Sequence, residues 1–288
     1  MLEILEYGFM QRALLAGSAT AALCAVMGLF MVLRRYSLFG DAVAHTSFGG
    51  IAVGMVAGIY PFWTAYAVSV ASAILITRMR EKFQISGDAA VAVLLSSGIA
   101  IGLTLISVSG WPPATVLAFL FGSILLVAPE EAALSVGLSA ALLLCVVAIY
   151  KPLLYTTFNE RQARAAGIRA GAINYAAVVM AGITVVTSVQ LVGVLLVSAL
   201  FVIPNVTAMM YGYGFARTAA LSSSIAVSVT ISGILLSYVL DIAPAGTIVL
   251  LSIGFLAATL GLRSLKVIPR RAGGAHQLPL LQRIARRR

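Results

Sequence analysis

Hydrophobic residues lie along this chain in long, continuous runs that are separated by short polar segments. Several runs are about 20 residues long, which is the length that an α-helix needs to cross a bilayer. Because the runs are continuous rather than alternating, they predict helices and argue against a β-barrel. The pattern predicts nine apolar segments, at 8–33, 41–58, 62–78, 89–108, 132–150, 172–190, 191–211, 218–239 and 245–262.

A tenth segment, 114–127, is shorter and weaker than the other nine. It follows the sequence Trp111-Pro112-Pro113 and carries Gly122 near its middle. These features favour a partial or re-entrant helix over a full span. The pattern therefore predicts an all-α fold, a polytopic transmembrane helical bundle of about nine spans with one additional partial helix.

Composition agrees with a membrane protein and excludes an ordinary soluble domain. Hydrophobic residues make up 61% of the chain, charged residues only 10%, and the mean hydropathy is +1.06, whereas globular chains carry roughly 25% charged residues. The net charge of +10 does not indicate a nucleic-acid partner, because the basic residues lie between helices and in the tail. The first charges, Glu3 and Glu6, are unlike a secretory signal, so we interpret the first segment as a retained span.

The positive charges also predict a topology. They cluster at 34–35, 78–82, 151–169 and 217, and in the tail from residue 263 onward. If 114–127 does not cross the membrane, all of these clusters fall on one side, and only Arg12 among the 19 basic residues lies on the other. The positive-inside rule then places the N-terminus outside and the C-terminus in the cytoplasm.

The same pattern divides the chain into a transmembrane domain, 1–262, and a basic cytoplasmic tail, 263–288. Residues 278–288 form a short basic amphipathic stretch, which is suited to lie against anionic lipid headgroups. Plain disorder is the alternative for this stretch. His276 lies in the tail and is given no role.

Asp41 and His45, at the start of the second apolar segment, are the candidate metal ligands. They are four residues apart, so a helix places them on one face, one turn from each other. Ionisable groups inside a membrane are costly and usually face a cavity, a partner or a substrate path. A carboxylate with an imidazole suits Zn²⁺, Mn²⁺ or Fe²⁺. Thr46, Ser47, backbone carbonyls, water or a second subunit would have to complete the coordination.

A purely structural pair is the alternative interpretation. Asp41 would then accept a hydrogen bond from His45, or pair with Arg34 or Arg35 near the membrane interface. His45 is the only histidine outside the tail, which argues against a histidine-rich cage within one chain. If His45 does bind metal, acid should weaken binding, because neutral imidazole is the ligating form.

The polar segment 156–170, between the fifth and sixth predicted spans, carries the signals of a short helix. Asn159 is a good N-cap, and Gln162 three residues later completes a capping-box spacing. Glu160 in the first turn and Gly167 just past the end agree with that helix. Since so short an exposed helix is not stable alone, a partner is expected to hold it. An ordinary polar loop is the alternative.

Several ordered motifs resemble the membrane permeases of the zinc/manganese/iron ABC importer family, relatives of the larger B12 and siderophore permeases. The second-helix motif Arg-Arg-Tyr-Ser-Leu-Phe-Gly-Asp-Ala-Val-Ala-His occupies residues 34–45. Many members have aspartate where Ser123 stands, so no charge role is carried over to that position. The resemblance extends over most of the chain up to about residue 268, with further matches at 120–125, 129–131, 190–200, 203–208 and 241–246.

The resemblance implies the fold of type II ABC importer permeases, and a homodimer that works with a cytoplasmic ATPase dimer and an extracytoplasmic metal-binding protein. It also implies that Asp41 and His45 bind the ion in the pathway. The short helix would dock in a groove of the ATPase. The residues expected to take part in that coupling are Phe158, Asn159, Glu160, Arg161, Ala163, Arg164 and Gly167.

The expected function is therefore that of a permease subunit in a prokaryotic plasma membrane, which imports a divalent metal by alternating access. The metal is the substrate, and no permanently bound cofactor is expected. The chain contains no Gly-x-x-x-x-Gly-Lys-Ser/Thr phosphate loop, so it is not expected to be an enzyme, and a partner must hydrolyse ATP.

Three rival functions are weaker. A siderophore or corrinoid permease needs a wide, mostly uncharged pathway, which the Asp41–His45 pair argues against. An ion- or proton-coupled secondary transporter predicts repeated halves with matching interrupted helices, and no clear repeat is present. An intramembrane metalloprotease needs more than one intramembrane histidine.

Overall fold

The computed structural model describes residues 6–110, 122, 124 and 127–265, and these residues fold into eleven α-helices. Apolar runs form the helices, and glycine or proline marks many of their ends. The helices are α1 (Gly8–Leu33), α2 (Phe39–Ala57), α3 (Pro61–Phe83), α4 (Gly87–Ser109), α5 (Pro129–Ala148), α6 (Tyr150–Phe158), α7 (Glu160–Ala165), α8 (Ala170–Val192), α9 (Val194–Met209), α10 (Phe215–Leu240) and α11 (Pro244–Ser264).

Seven helices in the described part of the chain are long and apolar enough to cross a membrane: α1, α3, α4, α5, α8, α10 and α11. The predicted count of about nine spans is not supported. In α2, Asp41, His45 and the four glycines between Phe39 and Ala57 lower the hydropathy. Helix α9 has 16 residues, about 24 Å at the rise of an α-helix, which is less than the ~30 Å hydrocarbon core.

One end of the bundle, which we call the basic end, gathers residues 33–38, 78–87, 150–170 and 210–217. Arg34 donates hydrogen bonds to Thr156 and Thr157, so the end of α1 lies against α6. The Tyr175 hydroxyl donates to Glu81 at 3.0 Å, which joins the start of α8 to the end of α3. The described basic residues other than Arg12 therefore lie toward this end, and Arg263 does so because α11 starts at the opposite end.

The opposite end, which we call the acidic end, gathers residues 6–8, 57–61, 109–110, 127–131 and 240–244. The Tyr60 hydroxyl donates to Glu131 at 3.4 Å, which joins the α2–α3 turn to the start of α5. The rings of Phe9 and Tyr238 lie 6.2 Å apart, which joins the start of α1 to the end of α10. Charge therefore separates along the bundle as the clusters in the sequence predict.

The predicted partial helix at 114–127 falls almost entirely outside the described residues. Its flanking helices are described. Helix α4 runs parallel to α2, because Gly87 lies near Tyr36 and Gly102 lies against Phe48, so α4 ends at the acidic end. Helix α5 begins at that same end, beside Tyr60. The two flanks thus lie at one end of the bundle, as a segment that does not cross requires.

Helices α1, α8 and α9 form the centre of the bundle. About two thirds or more of the best apolar window is buried in both α1 and α8, against about a third in α4. Small residues let the central backbones approach closely, and Gly28 of α1 lies directly against the Phe201 carbonyl of α9. Helix α2 packs between this centre and the pair α3 and α4, which places the second-helix motif inside the protein.

Candidate metal site and coupling segment

Helix α2 holds Asp41 and His45 on one face, as their spacing predicts. Asp41 lies in the first helical turn, where the positive end of the helix dipole stabilises a carboxylate. Glycine brings α4 against the backbone at His45: a Cβ atom added to Gly98 would lie 2.6 Å from the His45 carbonyl carbon and from the Thr46 Cα. The position of α2 is therefore fixed by backbone contact at the candidate ligand itself.

Ser198 of α9 is the group that meets the Asp41 carboxylate. Its hydroxyl donates a hydrogen bond to Asp41 Oδ1, which joins two helices 157 residues apart in sequence. Ser198 was not among the residues predicted for the site. Ser198 stands in the apolar motif 190–200 that carried the resemblance, and the only signal was a hydroxyl within an otherwise apolar run.

The Nδ1 atom of His45 is buried, and no hydrogen-bond partner faces it in the part of the chain that the structure describes. Asp41 forms no ion pair with Arg34 or Arg35, since among the described residues only Glu160 and Arg164 form one. A nitrogen that is buried without a partner carries a desolvation cost. It is also a position where a ligand can bind.

Thr46 and Ser47 are both buried, and both hydroxyls bond back to their own helix. Each donates to the Val43 carbonyl, at 3.0 Å from Thr46 and 2.6 Å from Ser47. Both hydroxyl protons therefore take part in hydrogen bonds within α2, while the lone pairs of the oxygen atoms remain available to a hydrogen-bond donor or a metal ion. Their predicted place in the pathway stays a prediction.

No cluster of three or more histidine, cysteine, aspartate or glutamate side chains is present within the described ranges. One chain thus offers two candidate ligands of this kind, Asp41 and His45, whereas a borderline metal commonly takes about four. The remaining ligands would have to be hydroxyls, carbonyls, water or groups from another subunit.

The predicted short helix at the basic end is confirmed as α7. The Asn159 side chain accepts a hydrogen bond from the Gln162 backbone N–H at 3.1 Å, which is the expected N-cap. Gly167 has φ +79°, the left-handed conformation expected just past the end. Glu160 and Arg164 form an ion pair of 2.6 Å along the helix.

The faces of α7 are divided between the bundle and the solvent. Ala163 is fully buried within this chain, whereas Ala166 and Gly167, which follow the helix, are exposed. Arg161 and Arg164 are exposed as well, and Phe158 just before α7 is 65% exposed. The chain itself therefore covers only one side of α7. The uncovered side carries the cations Arg161 and Arg164, and the exposed ring of Phe158 precedes it.

Known proteins of similar sequence and fold agree with this description. The sequence pattern of the ABC 3 transport family matches residues 6–262. A probable metal transport system membrane protein of Treponema pallidum (strain Nichols) is 36% identical over 215 residues, which are 75% of this chain and 80% of that protein. The manganese import system permease protein ScaB of Streptococcus parasanguinis is 31% identical over 76% of this chain and 78% of its own length.

A solved structure gives the same result for the fold. The structure of PsaBC from Streptococcus pneumoniae in complex with Fab superposes with a TM-score of 0.80 at 30% sequence identity, and the match covers 90% of this chain and 94% of that one. The resemblance found in the second-helix motif is thereby confirmed over the whole bundle. The chain belongs to the ABC 3 transport family.

Proposed function

We propose that this chain is the permease subunit of an ATP-driven importer for a divalent transition-metal ion. One observation carries the proposal: within an apolar bundle, the structure brings the Asp41 carboxylate to Ser198 and leaves the neighbouring His45 Nδ1 buried without a partner. An oxygen and a nitrogen ligand suit Mn²⁺, Zn²⁺ or Fe²⁺. The relative named as a manganese import permease supports manganese as the first ion to test.

The same proposal includes the partners and the sidedness. A second copy of the chain supplies further ligands to the ion, a cytoplasmic ATPase dimer supplies energy, and an extracytoplasmic protein delivers the metal. The basic end, with α7, faces the cytoplasm, and the acidic end faces outward. The charge separation between the two ends and the exposed cations of α7 support this orientation.

Alternating access follows from these parts. The ion enters from the acidic end and is held transiently by Asp41 and His45 of both protomers. Closure of the ATPases moves α7 and the helices that contact it, and the pathway then opens toward the cytoplasm. No permanently bound cofactor takes part, because the metal is the substrate.

Transport by the reconstituted system tests this function. The permease and its ATPase are placed in proteoliposomes, the metal-loaded binding protein is added outside, and accumulation of radioactive manganese is measured. We expect accumulation only when ATP is present on the ATPase side. Accumulation driven by a proton or sodium gradient without ATP would instead support a secondary transporter, and uptake restricted to chelated metal would support a siderophore permease.

The Ser198→Ala variant tests how the Asp41 carboxylate is positioned. Loss of a hydrogen bond to a charged group costs about 1.5–3 kcal/mol, so we expect the KM for metal to rise by roughly tenfold or more. Ser198→Thr keeps the hydroxyl and should restore most of the affinity. The control is Ser224→Ala, because Ser224 is exposed on α10 and its hydroxyl bonds to its own helix. An unchanged KM in Ser198→Ala would contradict the proposed role of Ser198.

Charge reversal on α7 tests ATPase docking. Arg161→Glu with Arg164→Glu should reduce the ATPase that co-purifies with the permease by about tenfold, since complementary charges steer such contacts. Arg161→Glu alone leaves the Glu160–Arg164 pair intact and should give an intermediate loss. Arg169→Glu, exposed beyond α7, is the matched control, and normal ATPase recovery from the double variant would count against docking at this helix.

A further inference from the structure

A cavity of about 650 Å³ opens at the basic end between the ends of α1 and α3, the start of α8 and helix α7. Its lining includes the apolar residues Leu33 and Val178, and most of its other lining residues are polar or charged. Four arginines and two glutamates line it: Arg34, Arg35, Arg80, Arg164, Glu81 and Glu160. The walls therefore carry a net positive charge, which repels a divalent cation and excludes this cavity as a metal site.

The two glutamates of the wall are already engaged. Glu160 pairs with Arg164, and Glu81 accepts a hydrogen bond from the Tyr175 hydroxyl. In the described part of the chain, no carboxylate lies within ion-pair distance of Arg34, Arg35 or Arg80. The two glutamates therefore act on Arg34 and Arg80 only from beyond ion-pair distance, and the four arginines of the cavity outnumber them by two.

Arg34 is held in this position by neutral groups. Its Nε and Nη2 atoms donate to the hydroxyls of Thr157 and Thr156, each at 3.2 Å. Burial lowers the pKa of the Arg34 guanidinium, which reflects the cost of taking a cation out of water. Threonine hydroxyls orient the guanidinium but do not balance its charge, so an anion in the cavity would stabilise it.

Arg35 and Arg80 also line the cavity, and each has an unusual conformation or contact. Arg35 has φ +63° at the end of α1, in the C-terminal turn position where glycine is normally found. A bulky residue in this conformation is uncommon, which points to a use for its side chain. The Arg80 guanidinium lies 5.0 Å from the centre of the Tyr36 ring, a cation–π contact.

We propose that this cavity binds the phosphate headgroup of an anionic phospholipid. Arginine forks bind phosphate oxygens bidentately, and basic pockets between helix ends at the membrane surface suit anionic headgroups. The volume is much larger than one phosphate ion, and the apolar lining residues Leu33 and Val178 belong to α1 and α8, two helices that are apolar enough to span a membrane. A glycerol headgroup such as that of phosphatidylglycerol adds hydroxyls that can donate to Glu81 and bond to Asn174, which also lines the cavity.

Lipid exchange on the purified permease–ATPase complex tests the proposal. The complex is delipidated in mild detergent, mixed with equal phosphatidylglycerol and phosphatidylcholine, and analysed by native mass spectrometry. We expect phosphatidylglycerol to be retained preferentially, and Arg34→Gln and Arg80→Gln each to weaken retention by about fivefold. Arg169→Gln, at the same end but outside the cavity, should retain it fully. Arg80 is exposed, so its variant should fold even if Arg34→Gln does not.

The remaining outcomes separate other occupants. Displacement of the lipid by excess inorganic phosphate, with no preference for phosphatidylglycerol over phosphatidylcholine, would assign the cavity to a free phosphate compound and overturn the lipid proposal. Equal retention by the wild type and both cavity variants would also overturn it. If retention appears only after the ATPase is removed, an acidic segment of the ATPase occupies the cavity instead.

Discussion

Replacing Asp41 or His45 with alanine should abolish metal accumulation while the protein remains in the membrane. In the proposed site each change removes one of the two strong ligands, and no third acidic, histidine or cysteine side chain clusters with them in the described part. Even changes to groups that merely support a metal ligand cost 10–100-fold, so we expect a loss of about 100-fold or more. Accumulation of radioactive metal in cells, normalised to membrane-inserted permease, measures it.

Matched controls separate ligand loss from general damage. Asp88 is an acid in the first turn of α4 and is exposed, so Asp88→Asn should transport normally. His276→Ala removes the tail histidine and should also be silent. Asp41→Asn keeps the size of the side chain and an acceptor for Ser198 but loses the charge, and should transport as poorly as Asp41→Ala. Full uptake by either alanine variant would refute the site.

Gly98→Val should have the second largest effect, because it separates α4 from α2 at the candidate ligand His45. A Cβ atom at this position would lie 2.6 Å from backbone atoms of His45 and Thr46, and backbone cannot give way as a flexible side chain can. Overpacking of this kind typically costs 1–3 kcal/mol. We expect transport to fall by at least about tenfold, together with a lower thermal midpoint of the purified permease.

Gly137→Val is the matched control for that change. Gly137 lies within α5, and a Cβ atom there meets nothing within 4 Å, so both transport and the thermal midpoint should be unchanged. If Gly98→Val behaved like Gly137→Val, the close approach of α2 and α4 would have no part in holding His45. Gly98→Ala, with a smaller side chain, should lie between the two.

The helical bundle and the α7 helix were predictable because both depend on residues that are close together in the sequence. Runs of apolar residues define helices, and the Asn159 cap and the left-handed Gly167 bound α7 through neighbouring residues alone. The span count was less accessible. Two apolar segments, α2 and α9, are helices in the structure but are too polar or too short to count as membrane spans by length and hydropathy. A prediction based only on runs of apolar residues counts them as spans together with the other segments.

Long-range contacts set the limit of prediction at the site. The spacing of Asp41 and His45 reveals a shared helix face, yet nothing near either residue points to Ser198, which is 157 positions from Asp41. The arginine cavity was hidden for the same reason. Its arginines come from three separate basic clusters, which were used to predict the sidedness of the chain in the membrane. Only the packing of α1, α3, α7 and α8 shows that these arginines line one cavity.

A single residue, Gly193, joins α8 to α9, and its φ of +78° and ψ of +169° are open essentially to glycine alone. Between the basic end and Ser198, the backbone thus consists of helix α8, the single residue Gly193 and the first turn of α9. Only two torsion angles set the direction of the second helix relative to the first. The backbone torsion angles of this one glycine therefore set how the basic end of α8 is oriented relative to the Ser198 hydroxyl that contacts Asp41.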